Sequence, residues 1–156
     1  MSVTIGIASY KAPDKLERAI NAIRVSTNGV YRLLIVHNPS QGDEETVNLI
    51  KEYAAHLPFV VPVWMPVNVG YAGAVSVMMR RLIDSPGWDH LIYCDNDIVV
   101  QTPGWDEILC SYLDRYPEVG MLYPNGGAFP IQREHYTEVM WAAGFCFATT
   151  RKVITE

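Results

Sequence analysis

Asp95-Asn96-Asp97 follows directly on the apolar run Leu91-Ile92-Tyr93-Cys94. Side chains alternate faces along an extended chain, so carboxylates two residues apart are expected on one side. Two carboxylates at the mouth of a sheet form a compact, hard oxygen site. Such a site suits Mn²⁺ or Mg²⁺, which can hold substrate phosphates at the same time. The bland alternative is a turn, because Asp and Asn after a strand satisfy local backbone groups with their short side chains. The apolar strand before them, and polar breaks at the ends of other strands, favour the metal reading.

Those other breaks are Ser9-Tyr10 and His37-Asn38. Tyr10 has a face on which a base can stack, and Asn38 has an amide that can donate or accept. A satisfied or surface histidine is the plainer reading of His37. Asn68-Val69-Gly70-Tyr71-Ala72-Gly73 joins a strand to a helix, and its small residues allow close approach to the backbone. A helix amino end there also favours an anion. The segment is not the G-x-G-x-x-G fingerprint and lacks the Lys and Ser/Thr of a phosphate loop. Tight helix-on-sheet packing explains it equally well. Trp141 with Ala142, Ala143 and Gly144 reads as a sugar platform or as core. His135, Glu134 and Glu138 read as site chemistry or as a solvated loop.

Strand-like and helix-like segments alternate to position these residues. Val3 to Ala8 reads as a buried strand. Pro13 opens a helix with Leu16, Ala19, Ile20 and Ile23 at helical spacing. Tyr31 to Val36 is a second strand. Asp43, Glu44 and Glu45 place negative charge at the start of the next helix, as its dipole favours. Phe59 to Met65 lies among Pro58, Pro62 and Pro66, and proline donates no ladder hydrogen bond, so a sheet edge is expected. Gly70 and Gly73 precede a helix through Ala74, Val77, Met78 and Leu82. Thr102-Pro103 reads as the cap and first residue of a helix through Ile108, Leu109 and Leu113. Val119 to Tyr123 and Val139 to Ala148 read as strands, and Thr149 to Ile154 as the opening of a last helix. The pattern implies an α/β, Rossmann-like three-layer sandwich with a mostly parallel sheet. Ligands of such sheets bind at the strands' carboxyl ends, where the polar breaks fall.

With 156 residues, the chain is expected to be a single domain, residues 1–156. A net charge of −5 without a Lys/Arg-rich run argues against a nucleic-acid partner. It does not argue against phosphate, since a bound cation can supply the positive charge. Cys94, Cys110 and Cys146 show no metal-ligand spacing and read as buried free thiols. No apolar stretch approaches the roughly 18–20 residues of a transmembrane helix. No leader pattern precedes the first strand, so a cytoplasmic location is the expectation.

Taken together, the first two strands, Asn68-x-Gly70 before a helix, and Leu91–Cys94 running into Asp95-Asn96-Asp97 resemble the nucleotide-binding part of family 2 glycosyltransferases. The stretch Trp141 to Ile154 is similar to the strand and helix start that follow the D-x-D in that family, and the resemblance covers nearly the whole chain. It implies the A-type glycosyltransferase fold and an inverting transfer of sugar from a nucleoside-diphosphate-sugar donor to a saccharide or other hydroxyl acceptor. It implies Asp97 as the direct ligand of Mn²⁺ or Mg²⁺, with Asp95 contacting the metal and the ribose. It implies Ala8, Ser9 and Tyr10 beside base and ribose, with Asn68 and Gly70 supporting the nucleotide.

Two positions depart from the family pattern. The second strand often ends in an acidic pair that contacts the base, and here the residues are His37-Asn38, of which Asn38 still hydrogen-bonds. The usual catalytic base lies in an acidic motif beyond the segment matching Arg151 to Ile154, and this chain stops at Glu156. The expectation is a piece truncated at its carboxyl end, or a minimal form with Glu134, Glu138 or Asp106 as substitute base. Two rival readings follow: a nucleotide-sugar binding module or inactive remnant, and a nucleotidyltransferase. The second lacks its usual glycine-rich basic loop, since Ser9-Tyr10-Lys11-Ala12-Pro13 contains no glycine.

Overall fold

Eight residues, Ser2–Ser9, form β1, a strand buried along almost its whole length. It lies inside a six-stranded sheet of order β3-β2-β1-β4-β8-β5. The computed structural model describes residues 2–124, 131–134, 137–138 and 146–156, and of Ile131, Thr137 and Glu138 the backbone alone. The strands are β2 (Val30–His37), β3 (Val60–Trp64), β4 (His90–Asp95), β5 (Met121–Leu122) and β8 (Cys146–Thr150), with β6 (Ile131–Gln132) and β7 (Thr137–Glu138) as a separate small pair. The helices are α1 (Pro13–Ser26), α2 (Glu44–His56), α3 (Gly70–Ile83), α4 (Trp105–Arg115) and α5 (Arg151–Thr155).

Strands β1 to β4 are mutually parallel, and β8 runs antiparallel to both β4 and β5. The sheet is therefore mostly parallel, as the sequence implies, with one reversed strand inside it. The proline-rich strand β3 pairs only with β2 and forms one edge.

Alternation along the strands divides the core. Ile5, Ile7, Leu33, Ile35 and Ile92 face one way, against Leu16, Ala19, Ile20 and Ile23 of α1, Ile50 of α2 and Leu109 and Leu113 of α4. Leu34, Val36, Leu91 and Tyr93 face the other way, against Ala74, Met78 and Leu82 of α3. Full burial of each Val, Leu, Ile or Met among them contributes roughly 1.5–3 kcal/mol. Gly6 lets α3 approach β1 closely, because a Cβ there would meet Met78 Sδ at 2.5 Å.

Several boundaries differ from the sequence expectation. Helix α4 starts at Trp105, not at Pro103. Thr102 to Trp105 is a turn, and Gly104, at φ +68°, donates its N–H to Ser26 O at 2.7 Å. Gly70 and Gly73 lie within the opening of α3 rather than before it. Thr149 and Thr150 complete β8, and Thr150 also caps α5 by accepting from Val153 N–H. The expected strand from Val139 begins in residues outside those described, and β8 is its described end.

Candidate functional site

Parallel register brings four strand ends together. Ala8 pairs with Asp95, Ser9 with His37, and His37 with Trp64. The polar breaks at the carboxyl ends of β1, β2 and β4 therefore border one surface.

Asp95 is the last residue of β4, and Asn96 and Asp97 belong to a turn closed by Ile98 N–H on Asp95 O. The expectation that strand alternation aligns the two carboxylates is therefore corrected, since Asp97 has left the strand. The turn and the acid site coexist. Among the described residues, neither carboxylate accepts from the turn's own backbone. Asp95 accepts from the hydroxyl of Tyr93. Asp97 Oδ2 lies 3.4 Å from Lys15 Nζ. Burial pushes Asp95 above the usual carboxylate range, the Tyr93 hydrogen bond opposes this, and the Asp97 charge adds to the rise. Burial foremost, then the bond to Asp95, drives the Tyr93 phenol strongly upward. The Tyr71 ring stands edge-on to Tyr93 at 5.3 Å between centroids.

The middle residue of the turn locks the neighbouring loop. Asn96 Nδ2 donates to Tyr10 O at 3.2 Å and to Lys11 O at 3.5 Å. That loop carries two consecutive non-glycine residues in the left-handed region, Lys11 at φ 51° and Ala12 at φ 49°. Each such residue costs on the order of 1–2 kcal/mol, so the surroundings must hold it in place. Tyr10 is partly exposed beside the acids, with the Lys11 ammonium 5.2 Å from its ring centre.

Ser9 is fully buried, and among the described residues its hydroxyl has no hydrogen-bond partner. His37 is also buried. Its Nε2 lies 3.0 Å from Asp43 Oδ2, off hydrogen-bond geometry, and its ring meets Trp64 edge-on at 5.5 Å. Asp43 accepts Ser40 N–H at 2.7 Å, and that bond foremost holds its carboxyl below the ordinary value.

Asn38 is turned inward. Its Oδ1 accepts Val69 N–H at 3.1 Å and its Nδ2 donates to Gly70 O at 3.3 Å. The side chain fastens the end of β2 to the turn before α3. Asn68 Oδ1 accepts Gly70 N–H at 2.8 Å, and Gly70 holds φ +67°. Gly73 is required by space, since a Cβ would lie 2.6 Å from Val69 Cβ.

Of the three substitute bases, Asp106 does not lie at this surface. Asp106 is buried at the opposite, amino end of the sheet, where it accepts Asn28 N–H at 3.2 Å and Gly29 N–H at 3.0 Å just before β2. Its candidacy as a base is corrected, because the carboxylate closes the α1–β2 turn. Glu134 is exposed just after β6. Glu138 stands on β7 opposite Ile131. His135 and Trp141 to Gly144 lie outside the described residues.

A groove of about 390 Å³ also lies at the amino end, lined by His90, Asp114, Thr150 and Arg151 among others. Its polar groups are committed. His90 Nε2 is 2.8 Å from Asp114 Oδ1, and Arg151 donates to the carbonyls of Ile83, Ser85 and Trp88. The acids therefore remain the stronger site.

Sequence reasoning passed over Tyr93 and Lys15. The signal for Tyr93 was present, two residues before Asp95 on the same face. Lys15 carried none, because only the docking of α1 brings it to Asp97. Carboxylates are the hard oxygen donors that a divalent ion prefers, and Asp97 already draws a cationic ammonium. Asp95, raised by burial and by its acidic neighbour, gains from added positive charge. Asp95 and Asp97 thus offer hard oxygen donors of the kind that Mn²⁺ or Mg²⁺ prefers.

The family model described as Glycosyl transferase family 2 matches residues 4–154. Among solved structures, a mannosyltransferase from Pyrobaculum calidifontis in complex with GDP-Man and Mn²⁺ is similar at TM-score 0.64 and 18% identity, over 76% of this chain and 34% of that one. Residues 1–349 of TarS from S. aureus align at TM-score 0.61 and 13% identity, over 84% and 39%. GalNAc-T7 with UDP, GalNAc and Mn²⁺ aligns at TM-score 0.78 and 13% identity, over 99% and 35%. The chain thus spans about a third to two fifths of the length of these proteins. No match was found among curated proteins. The six-stranded mixed sheet and its helices share the fold of these A-type glycosyltransferases. Among the described residues, no helix is long and apolar enough to cross a membrane.

Proposed function

The chain belongs to glycosyl transferase family 2, and from that membership we propose that it binds a nucleoside-diphosphate-sugar for metal-dependent, inverting transfer of the sugar to an acceptor hydroxyl. One observation carries the reading. Asp95 and Asp97 stand at the carboxyl end of the sheet with neither carboxylate taken up by the turn that presents them.

Asp97, with Asp95 beside it, would hold Mn²⁺ or Mg²⁺. Bound there, the ion supplies Lewis-acid stabilisation of the charge that develops on the diphosphate leaving group. This chain's residues position the donor. Tyr10 offers an exposed ring for the base, with Ala8 and Ser9 at the adjoining strand end. Asn38 and Asn68 set the turn in which Gly70, with open space where a Cβ would be, lets a nucleotide approach the backbone. In the transfer, the acceptor oxygen bonds to the anomeric carbon as the bond to the diphosphate breaks, and a base takes the acceptor's proton. No base is assigned, since Asp106 is committed at the far end of the sheet.

That position of Asp106 favours a second reading, in which the chain binds the donor without transferring it. Donor hydrolysis or transfer by the longest natural form of the protein separates the two. Asp97→Ala tests the shared premise. Calorimetry with UDP or GDP plus Mn²⁺ is expected to show metal-dependent binding in the wild type and at least a tenfold loss in the variant. Equal affinities would remove the acids from the site.

A further inference from the structure

Lys15 belongs to the first turn of α1, a 14-residue helix anchored by Leu16, Ala19, Ile20 and Ile23. Its backbone N–H and that of Leu16 both donate to Ala12 O at 3.1 Å. Ala12 and Lys11 hold left-handed conformations, and the carbonyls of Tyr10 and Lys11 are gripped by Asn96. The D-x-D turn thus fixes the loop that aims Lys15 back at its own Asp97. The resulting ion pair has a 3.4 Å separation and side-chain exposures of 47% and 52%. An exposed pair of this kind is weak and readily displaced. Its partner is nonetheless the carboxylate assigned to the metal.

From this geometry we infer that Lys15 is a second, tethered cation of the donor site: it neutralises Asp97 in the metal-free protein, yields that carboxylate to the divalent ion, and then pairs with the donor's diphosphate. The inference rests on the donor-site reading above. It makes Lys15 a specificity-determining residue for diphosphate donors, because a freed ammonium beside a metal-held phosphate gains a doubly charged partner in place of a single carboxylate.

The test compares wild type with Lys15→Gln, which keeps helix propensity and most of the side chain's reach and removes the charge. Titration with Mn²⁺ alone is expected to show about two- to fivefold tighter binding in the variant, because a competing cation has gone. UDP or GDP in saturating Mn²⁺ is expected to bind about three- to tenfold more weakly, and UMP or GMP nearly as before. Lys15→Arg should restore the diphosphate affinity. Unchanged Mn²⁺ affinity in Lys15→Gln, or an equal loss for mono- and diphosphates, overturns the inference while leaving the donor site standing. A wild type that binds neither Mn²⁺ nor nucleotide removes the donor-site reading, and the inference with it.

Discussion

The hydroxyl of Tyr93 donates a hydrogen bond to Asp95, two residues further along the same strand and on the same face of the sheet. Tyr93 is itself locked in the core against Met78, Leu82 and Phe147, with its ring stacked on Phe147 at 5.2 Å. A rigid aromatic thereby orients the acid above it.

Removing that hydroxyl should change the pH response of the site. Burial and Asp97 raise the pKa of Asp95, and the Tyr93 hydrogen bond holds it down. In Tyr93→Phe the pKa rises further, so the acid is protonated at a higher pH. The pH midpoint of Mn²⁺-dependent UDP or GDP binding should move upward, with affinity near pH 8 little changed. A midpoint at or below the wild-type value would contradict the role given to this bond.

Asp95 should also weaken the free protein. Its carboxyl is raised in the folded state, so the charged form is disfavoured by folding. For an acid shifted this way, the stabilising contribution is complete below the unfolded-state pKa and disappears as pH rises through the folded-state value. Asp95→Asn keeps an oxygen that can accept from Tyr93 and removes the charge. The variant should melt about 1–2 °C above wild type at pH 7, a shift discounted for the partial exposure of the group. The advantage should vanish in acid, and metal-dependent nucleotide binding should be lost at every pH. Melting curves from pH 3 to 8 provide the measurement.

Asp106 separates fold from site. Its carboxylate accepts two backbone N–H groups in the α1–β2 turn. Asp106→Ala removes the shared acceptor of two backbone N–H groups at a part-buried turn, and should destabilise by about 1–3 kcal/mol in urea unfolding. Nucleotide affinity of the folded variant should match wild type. A selective loss of transfer activity at full stability would instead return Asp106 to the chemistry.

The expectations that held came from local patterns. Continuous apolar runs marked β1, β2 and β4, Pro13 and the spacing from Leu16 to Ile23 marked α1, and three prolines marked the edge strand β3. Burial imposes those patterns on consecutive residues, so they survive in one dimension. What escaped depends on partners far apart in the chain. Gly104 caps α4 with its N–H on the Ser26 carbonyl, Asp106 is drawn to Asn28 and Gly29, and Lys15 meets Asp97 only once α1 has docked. Asn38 looked like a ligand contact because its amide has free capacity in the sequence, and Val69 and Gly70 take up that capacity in the fold.

Strand β8 comes from the far end of the described chain, yet it lies between β4 and β5. As the polypeptide leaves the ribosome, β4 keeps a bare flank until Thr150 has emerged, and β5 waits without its ladder partner. The strand that presents Asp95 is thus completed last, by pairings that span more than fifty residues of sequence. Closing contacts of such long separation is slow, so nascent chains should expose a sticky half-built sheet that calls for chaperone protection during synthesis.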